Sequence, residues 1–270
     1  MNAIAMIPFR RIRFFGSKTV HGLGLAALAF LAFTTAPCGS AQDWFKTGTG
    51  LGVQKARVAI ADFPSTGTGS SGGASAQALA KEFSEVVRGD LDYSGIAEIV
   101  SPSMYPSQAP SQPSELNSQA WADAPASSQF LGFGNLSVNG TALGVQAWLF
   151  DVRSPSVPAM ITKIYRGDAT DDQVRLVAHQ FADEILMKLS GGVPGISTTQ
   201  IAFVSDRTSH KEIWVMDYDG ANQHELTSLK GIALTPRWSP DSSRIVFTCW
   251  APGPKGTVRA QICMYSLIAG

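Results

Sequence analysis

The segment Ile201-Ala-Phe-Val-Ser-Asp-Arg207 and, shortly after it, Glu212-Ile-Trp-Val-Met216 decide the fold of the second half of this chain. A related pattern begins at Trp238-Ser-Pro-Asp-Ser-Ser-Arg-Ile-Val-Phe247, so that apolar positions recur after 44 residues. A repeat of about 40–45 residues with several short strands is typical of a β-propeller blade. We therefore predict an incomplete β-propeller over residues 197–270, with one full blade and most of a second, since closed propellers need about 4–8 blades.

The residues before this repeat alternate between strand and helix patterns. Strands are expected at 57–63, 96–100, 130–138, 141–152 and 160–165. Two amphipathic helices are expected, one from Ala74 to Leu91 and one that begins after the N-cap Thr170 and ends before Gly191. This order predicts an α+β N-terminal domain over 55–190, in which two helices cover one face of a mixed sheet, followed by a linker at 191–196.

The composition of three connections within this domain predicts their local structure. The Ser-, Thr- and Gly-rich stretch 64–73 predicts a flexible loop. Residues 101–128 predict a long surface connection with one helical turn near Trp121. Asn139-Gly140 separates two alternating apolar runs and predicts a hairpin with a type I′ turn.

The first 41 residues have the pattern of an export signal. A basic stretch precedes an apolar run from Leu23 to Phe33, and small residues at 39 and 41 favour cleavage after Ala41. We therefore predict a signal peptide at 1–41, a periplasmic location and no membrane insertion after cleavage, because the apolar run is short for a bilayer span. An uncleaved interfacial anchor is the alternative. Residues 42–54 are glycine-rich and are expected to form a flexible N-terminal peptide.

The composition argues against a nucleic-acid partner. The formal net charge is zero, and four basic residues without any acid lie before residue 42, so the remainder carries a net charge of −4. A nucleic-acid-binding domain would instead show a basic surface. An apolar content of 44% with 16% charged residues is that of a globular protein.

Removal of the signal leaves two cysteines, Cys249 and Cys263, on successive predicted strands of the second blade. An oxidising compartment permits a disulfide between them. The alternative is that they are two small buried side chains.

No constellation of residues in the sequence indicates an enzyme, a cofactor site or a metal site. Asp217-Tyr-Asp-Gly220 has the alternating aspartates of a calcium loop, but a β-turn with positive φ at Gly220 explains it more simply. The spacing Gly-x-Ser-x-Gly occurs at Gly69-Ser-Ser-Gly-Gly73, but this segment belongs to the Ser-, Thr- and Gly-rich stretch 64–73 that predicts a flexible loop, so we expect no nucleophile elbow there. None of the four histidines has the i, i+4 partner of a helical metal site, and His179 is predicted to be a packing residue of the second helix.

The repeat closely resembles the TolB family, the periplasmic component of the Tol–Pal system. The resemblance is carried by residues 201–227 and 236–247, and most specifically by Met216-Asp-Tyr-Asp-Gly-Ala-Asn-Gln223, which is similar to the end of the family's first blade. The order of elements in the N-terminal domain and the segment 174–191, which leads into the first blade, extend the resemblance over about residues 55–268.

The resemblance implies a non-enzymatic protein of an envelope-spanning assembly that supports outer-membrane integrity and cell division. In the family, the propeller binds the lipoprotein Pal, and the mature N-terminal peptide engages TolA or folds back on the protein. By position, the partner-binding residues would be Asp43, Trp44, Phe45 and Lys46; a disordered spacer is the alternative. Because the family has six blades, the resemblance also implies a truncated protein that lacks most of the Pal-binding face.

Two other hypotheses remain open. Blades of this type also precede serine peptidase domains, so the chain could be the propeller portion of a secreted serine peptidase whose hydrolase domain is missing. A gene product that has lost its binding function is the third hypothesis. Further blades in a longer reading frame would favour the TolB family, whereas a nucleophile elbow would favour the peptidase.

Overall fold

The computed structural model describes residues 5–6, 55–69, 75–154, 156, 158–252 and 258–268. Its strands are β1 Ala5–Met6, β2 Ala56–Ile60, β3 Ser65–Gly69, β4 Ala97–Ile99, β5 Phe130–Gly140, β6 Ala142–Asp151, β7 Ile161–Asp168, β8 Gln200–Ser205, β9 Glu212–Asp217, β10 His224–Glu225, β11 Ile232–Trp238, β12 Arg244–Pro252 and β13 Val258–Ser266. Its α-helices are α1 Ala76–Tyr93, α2 Ser118–Ala122 and α3 Asp171–Leu189. Within these segments, none of the helices has the length and apolar character needed to cross a bilayer.

A six-stranded mixed sheet forms the centre of the N-terminal domain. Its order is β4-β2-β5-β6-β7, with β3 paired along β5. Strand β2 runs parallel to β4 and β5, whereas β5, β6 and β7 are antiparallel neighbours. Helices α1 and α3 pack on one face through apolar stripes that include Phe83 and Phe181, and both rings are inaccessible to solvent. The prediction of a mixed sheet covered by helices is therefore confirmed.

Both long helices begin at a side-chain cap. The Ser75 hydroxyl accepts a hydrogen bond from the Ala78 N–H at 3.2 Å, and the Thr170 hydroxyl accepts one from the Gln173 N–H at 3.3 Å. Such caps satisfy N–H groups that have no partner within the helix. The start of α3 at Thr170 is as predicted.

The opposite face of the sheet is covered by the connection 101–128. Trp121, on α2, is 1% exposed and packs with Val100, Leu131 and Phe133 in a second apolar cluster. The helical turn near Trp121 is as predicted, but the connection is not simply a surface loop. The indole of Trp121 covers apolar side chains on the sheet face that the two long helices leave open. Apolar residues on both faces of a sheet need cover on each side.

Two local predictions were wrong. Residues 65–69 form strand β3, parallel to β5, because the long strand β5 has edge positions beyond the end of β2. The β5–β6 turn is not type I′, because Asn139 pairs with Ala142 and the two-residue loop is Gly140-Thr141. Only Gly140 of this loop has positive φ, +63°, which is the pattern of a type II′ turn.

Two small antiparallel sheets follow α3. The first has the order β10-β9-β8, and the second contains β11, β12 and β13 with β1 at its outer edge. The hairpin β12–β13 repeats β8–β9, as the 44-residue spacing predicts. The first sheet has three strands rather than the four of a full blade, because β11 pairs with β12 and not with β10. Strand β1 lies inside the predicted signal, so cleavage after Ala41 would free the outer edge of β13.

The connection between α3 and β8 is held against the helix. The Asp183 carboxylate accepts hydrogen bonds from the Ser197 N–H at 2.7 Å and the Thr198 N–H at 3.2 Å. The Thr198 hydroxyl also donates to it, at 2.8 Å. The residues predicted to be a linker, 191–196, therefore lead into a segment fixed to α3 rather than into a free one.

Candidate functional site

A group of charged side chains lies where α1, α3 and the β9–β10 turn meet. We call it the charge cluster; its members are Glu82, Asp90, Arg175, His179, Asp217 and Asp219. Two of the members, Arg175 and His179, are four residues apart on α3 and therefore lie one turn apart on the same side of the helix.

Arg175 is the centre of the cluster. Its side chain is only 12% exposed, and its guanidinium contacts carboxylates from two different parts of the protein. Nη1 donates to Glu82 on α1 at 3.4 Å, and Nη2 donates to Asp219 in the β9–β10 turn. Nε lies 3.9 Å from the carboxylate of Asp217. A single guanidinium thus connects the N-terminal domain to the first of the two small sheets.

The β9–β10 turn presents its two aspartates in a fixed geometry. The Gly220 N–H donates to the Asp217 carbonyl at 2.9 Å, and Gly220 has the positive φ, +84°, that was predicted for it. The Ala221 N–H donates to the Asp219 carboxylate at 3.1 Å, while the Asn222 amide donates to the Asp217 carboxylate at 2.7 Å. Burial alone would raise the pKa of Asp219, but the Ala221 N–H and Arg175 outweigh it and hold that pKa below its usual range.

His179 forms the second contact of α3 within the cluster. It is 5% exposed, and its Nδ1 lies 2.7 Å from the carboxylate of Asp90, which is fully buried on α1. Burial alone would lower the pKa of His179, but the hydrogen bond to Asp90 and the charge of that carboxylate raise it. Its other ring nitrogen, Nε2, is buried and has no hydrogen-bond partner among the residues that the structure describes. The sequence predicted only a packing role for His179, whereas in the structure it also makes a buried polar contact with Asp90 of α1.

A cavity of about 610 Å³ opens beside the cluster. Its walls come from α3, from the segment 197–200, from the β9–β10 turn and from the second small sheet, the last through Trp238 and Leu267. Arg175, His179 and Asp217 line it, so solutes can reach the cluster from solvent. The arrangement offers a binding cleft with mixed charge between the N-terminal domain and the small sheets.

Of the residues proposed from the sequence, the two that the structure describes, Cys249 and Cys263, do not lie in this cluster. Asp43, Trp44, Phe45 and Lys46 fall outside the described residues, as does the whole predicted N-terminal peptide. Cys249 on β12 and Cys263 on β13 are both fully buried, their Cα atoms are 5.9 Å apart, and the structure joins them by a disulfide. The disulfide joins the neighbouring strands β12 and β13 of the second small sheet, and neither cysteine lines the cleft.

Sequence reasoning did not find the charge cluster because its members are distant along the chain. His179 and Asp90 are 89 residues apart, and Arg175 and Asp219 are 44 residues apart. One signal was present, since Arg175 and His179 recur at i, i+4 among the apolar positions of α3. A charged residue and a titratable residue on one side of an otherwise apolar helix indicate a polar partner, although not which one.

The fold and the cluster together define a class of protein: an α+β domain joined through buried charges to consecutive small antiparallel sheets. Comparison with known proteins identifies the class. Residues 49–156 match the family model described as the TolB amino-terminal domain. Residues 49–156 are thus similar to the TolB amino-terminal domain, and the resemblance to TolB is confirmed.

Curated relatives extend the similarity into the small sheets. The Tol-Pal system protein TolB of Anaeromyxobacter dehalogenans is 31% identical over 233 residues, which cover 84% of this chain and 50% of the relative. The Tol-Pal system protein TolB of Geobacter metallireducens is 31% identical over 204 residues, or 76% of this chain and 45% of the relative. The chain therefore spans half or less of the length of these relatives.

A solved structure supports the fold. The crystal structure of TolB from Acinetobacter baumannii matches with a TM-score of 0.59 and 21% identity, covering 80% of this chain and 48% of the other. The prediction that the chain is not an enzyme agrees with this similarity to proteins named TolB.

Proposed function

We propose that this chain is a periplasmic protein-binding component of a Tol–Pal-like envelope system, with a Pal-like lipoprotein and a TolA-like protein as its partners. In this proposal, residues 1–41 direct export, 55–190 form the TolB-type domain, and 197–270 are the first blades of a propeller. The protein supports outer-membrane integrity and cell division as part of that system. The similarity to TolB relatives favours this hypothesis over the propeller portion of a serine peptidase.

One observation carries the proposal. Two neighbouring antiparallel sheets with repeated hairpins follow a domain that is similar to the TolB amino-terminal domain, and Arg175 pairs with aspartates of the first sheet. A protein that connects two partners needs such a coupling, because binding at one part can affect the other only through contacts that differ between states. The charge cluster supplies contacts between the two parts in a position open to a cleft.

The experiment measures direct binding of the chain to purified partner proteins. The soluble domains of the Pal-like and TolA-like proteins from the same organism are immobilised, and binding of the mature chain is measured by biolayer interferometry. A full-length TolB relative, such as that of Anaeromyxobacter dehalogenans, is tested in parallel with partners from its own organism. We expect the chain to bind the TolA-like domain through residues 42–54.

Two matched variants make the result specific. A chain that lacks residues 42–54 should lose binding to the TolA-like domain, as should a chain with alanine at Asp43, Trp44, Phe45 and Lys46. We expect weaker binding to the Pal-like domain than the full-length relative shows, because the Pal-binding face of the family draws on several blades. If the chain binds neither partner under conditions in which the full-length relative binds both of its own, the proposal is refuted.

A further inference from the structure

We infer that His179, Asp217 and Asp219 form a binding site for a divalent transition metal ion of the zinc type. A ring nitrogen of His179 and one carboxylate oxygen from each aspartate all lie within 4.8 Å of one another. The inference concerns a metal ion and is independent of the protein partners proposed above.

The atom that points to a ligand is Nε2 of His179. The residue is 5% exposed, its Nδ1 lies 2.7 Å from the Asp90 carboxylate, and Nε2 has no hydrogen-bond partner within the described part of the chain. An unsatisfied buried nitrogen costs free energy unless something binds it. Because Nδ1 is hydrogen-bonded to Asp90, Nε2 is the ring nitrogen that is available to a metal ion.

The surroundings of His179 match those of a metal-binding histidine. Such histidines commonly use one ring nitrogen for the metal and the other for a carboxylate, which fixes the ring orientation and the tautomer. Asp90 is placed to do this, since its carboxylate lies 2.7 Å from Nδ1. The donor set of one imidazole and two carboxylates suits zinc, with water from the adjacent cavity completing the coordination.

The charge balance also favours a cation. Four carboxylates belong to the cluster, whereas Arg175 supplies the single permanent positive charge among its members. A divalent ion would offset most of the remaining negative charge while Arg175 stays in place. Zinc binds such ligands at about 2.0–2.2 Å, so small rotations of Asp217 and Asp219 would close the present separation.

For this movement, the Asp217 and Asp219 carboxylates would exchange hydrogen bonds within the turn for bonds to the ion. Asp217 and Asp219 keep their backbone geometry through bonds within the turn, and the side chain of Asp217 lines the cavity. Binding would tie α3 to the β9–β10 turn by a second link next to Arg175. The site therefore joins the same two parts of the protein as the ion pairs do.

The test is a metal titration of the full chain, purified without a polyhistidine tag and stripped of metal with a chelator. Zn²⁺ affinity is measured at pH 8 by competition with a chromophoric chelator, and Co²⁺ absorption reports the coordination geometry. We expect one Zn²⁺ per chain. His179→Asn keeps a donor for Asp90 but removes Nε2, and we expect it to weaken binding by at least about 100-fold.

A second ligand variant and two controls complete the design. Asp217→Asn should also weaken Zn²⁺ binding, and because Asp217 is partly exposed this variant remains informative if His179→Asn fails to fold. His210→Asn and His224→Asn alter exposed histidines and should leave the affinity unchanged. The inference is overturned if the chain binds no stoichiometric Zn²⁺, in which case Nε2 is satisfied by water. Equal affinities for the wild type and both ligand variants would also overturn it.

Discussion

Replacing Arg175 by methionine should destabilise the protein and loosen the contact between α3 and the β9–β10 turn. Methionine keeps much of the aliphatic volume but removes the guanidinium. The carboxylates of Glu82 and Asp219 then remain in a partly buried environment without their cation. Leaving a buried charge without its partner costs about 3–5 kcal/mol in fully buried pairs.

The magnitude here is smaller because the site is not fully enclosed. The side chain of Arg175 is 12% exposed and that of Glu82 is 30% exposed, so water screens part of the loss. We therefore expect a cost of about 2–3 kcal/mol. For a folded unit of this size, that corresponds to a fall in the unfolding midpoint of roughly 4–12 °C.

The assay combines thermal unfolding with hydrogen exchange. Lys81→Met is the matched control, because Lys81 pairs with Glu85 at 3.8 Å on the exposed side of α1 and such pairs contribute about 0–1 kcal/mol. Exchange of the turn amides should accelerate in Arg175→Met and stay unchanged in Lys81→Met. If both variants shift the midpoint equally and neither changes exchange in residues 217–222, the structural role given to Arg175 is wrong.

Four further changes test other parts of the structure. Gly134→Ala should destabilise by about 1–3 kcal/mol in denaturant titration, since its Cβ would lie 1.9 Å from a backbone oxygen of β6. Gly89→Ala, inside α1, meets nothing closer than 3.9 Å and should stabilise by about 0.5–1 kcal/mol. Replacing Cys249 and Cys263 by serine should cost about 2–4 kcal/mol, and two free thiols in the oxidised mature protein would contradict the pairing. Asp183→Ala should speed proteolytic cleavage within 191–196, because three hydrogen bonds to that carboxylate are lost; an unchanged rate would show that the segment is held by other contacts.

The elements of the N-terminal domain could be predicted from local signals. The apolar spacing of α1 and α3 and the cap at Thr170 depend on residues close in sequence, and these predictions agree with the structure. Strand β3 escaped prediction because Ser65–Gly69 has no apolar alternation. Its pairing depends on the exposed edge of β5, which is a property of the folded sheet and not of residues 65–69.

The candidate site could be predicted only in part. The turn at Asp217–Gly220 follows from its own residues, including the positive φ of Gly220. The proximity of its aspartates to Arg175 and His179 does not follow from these residues, because it depends on how the first small sheet packs against α3. No local pattern in either segment encodes that packing, and a charged pair separated by 44 residues has many alternative partners in sequence.

Helix α3 contacts both parts of the chain. Its residues Val177 and Phe181 pack into the sheet core, whereas Arg175, His179 and Asp183 recur every four residues and contact the turn, α1 and the segment before β8. A helix that is apolar on one side and polar on the other transmits a displacement as a rigid body, because its core side resists local repacking. Movement of the first small sheet should therefore shift α3 against the mixed sheet as a unit rather than bend the connection at 191–196.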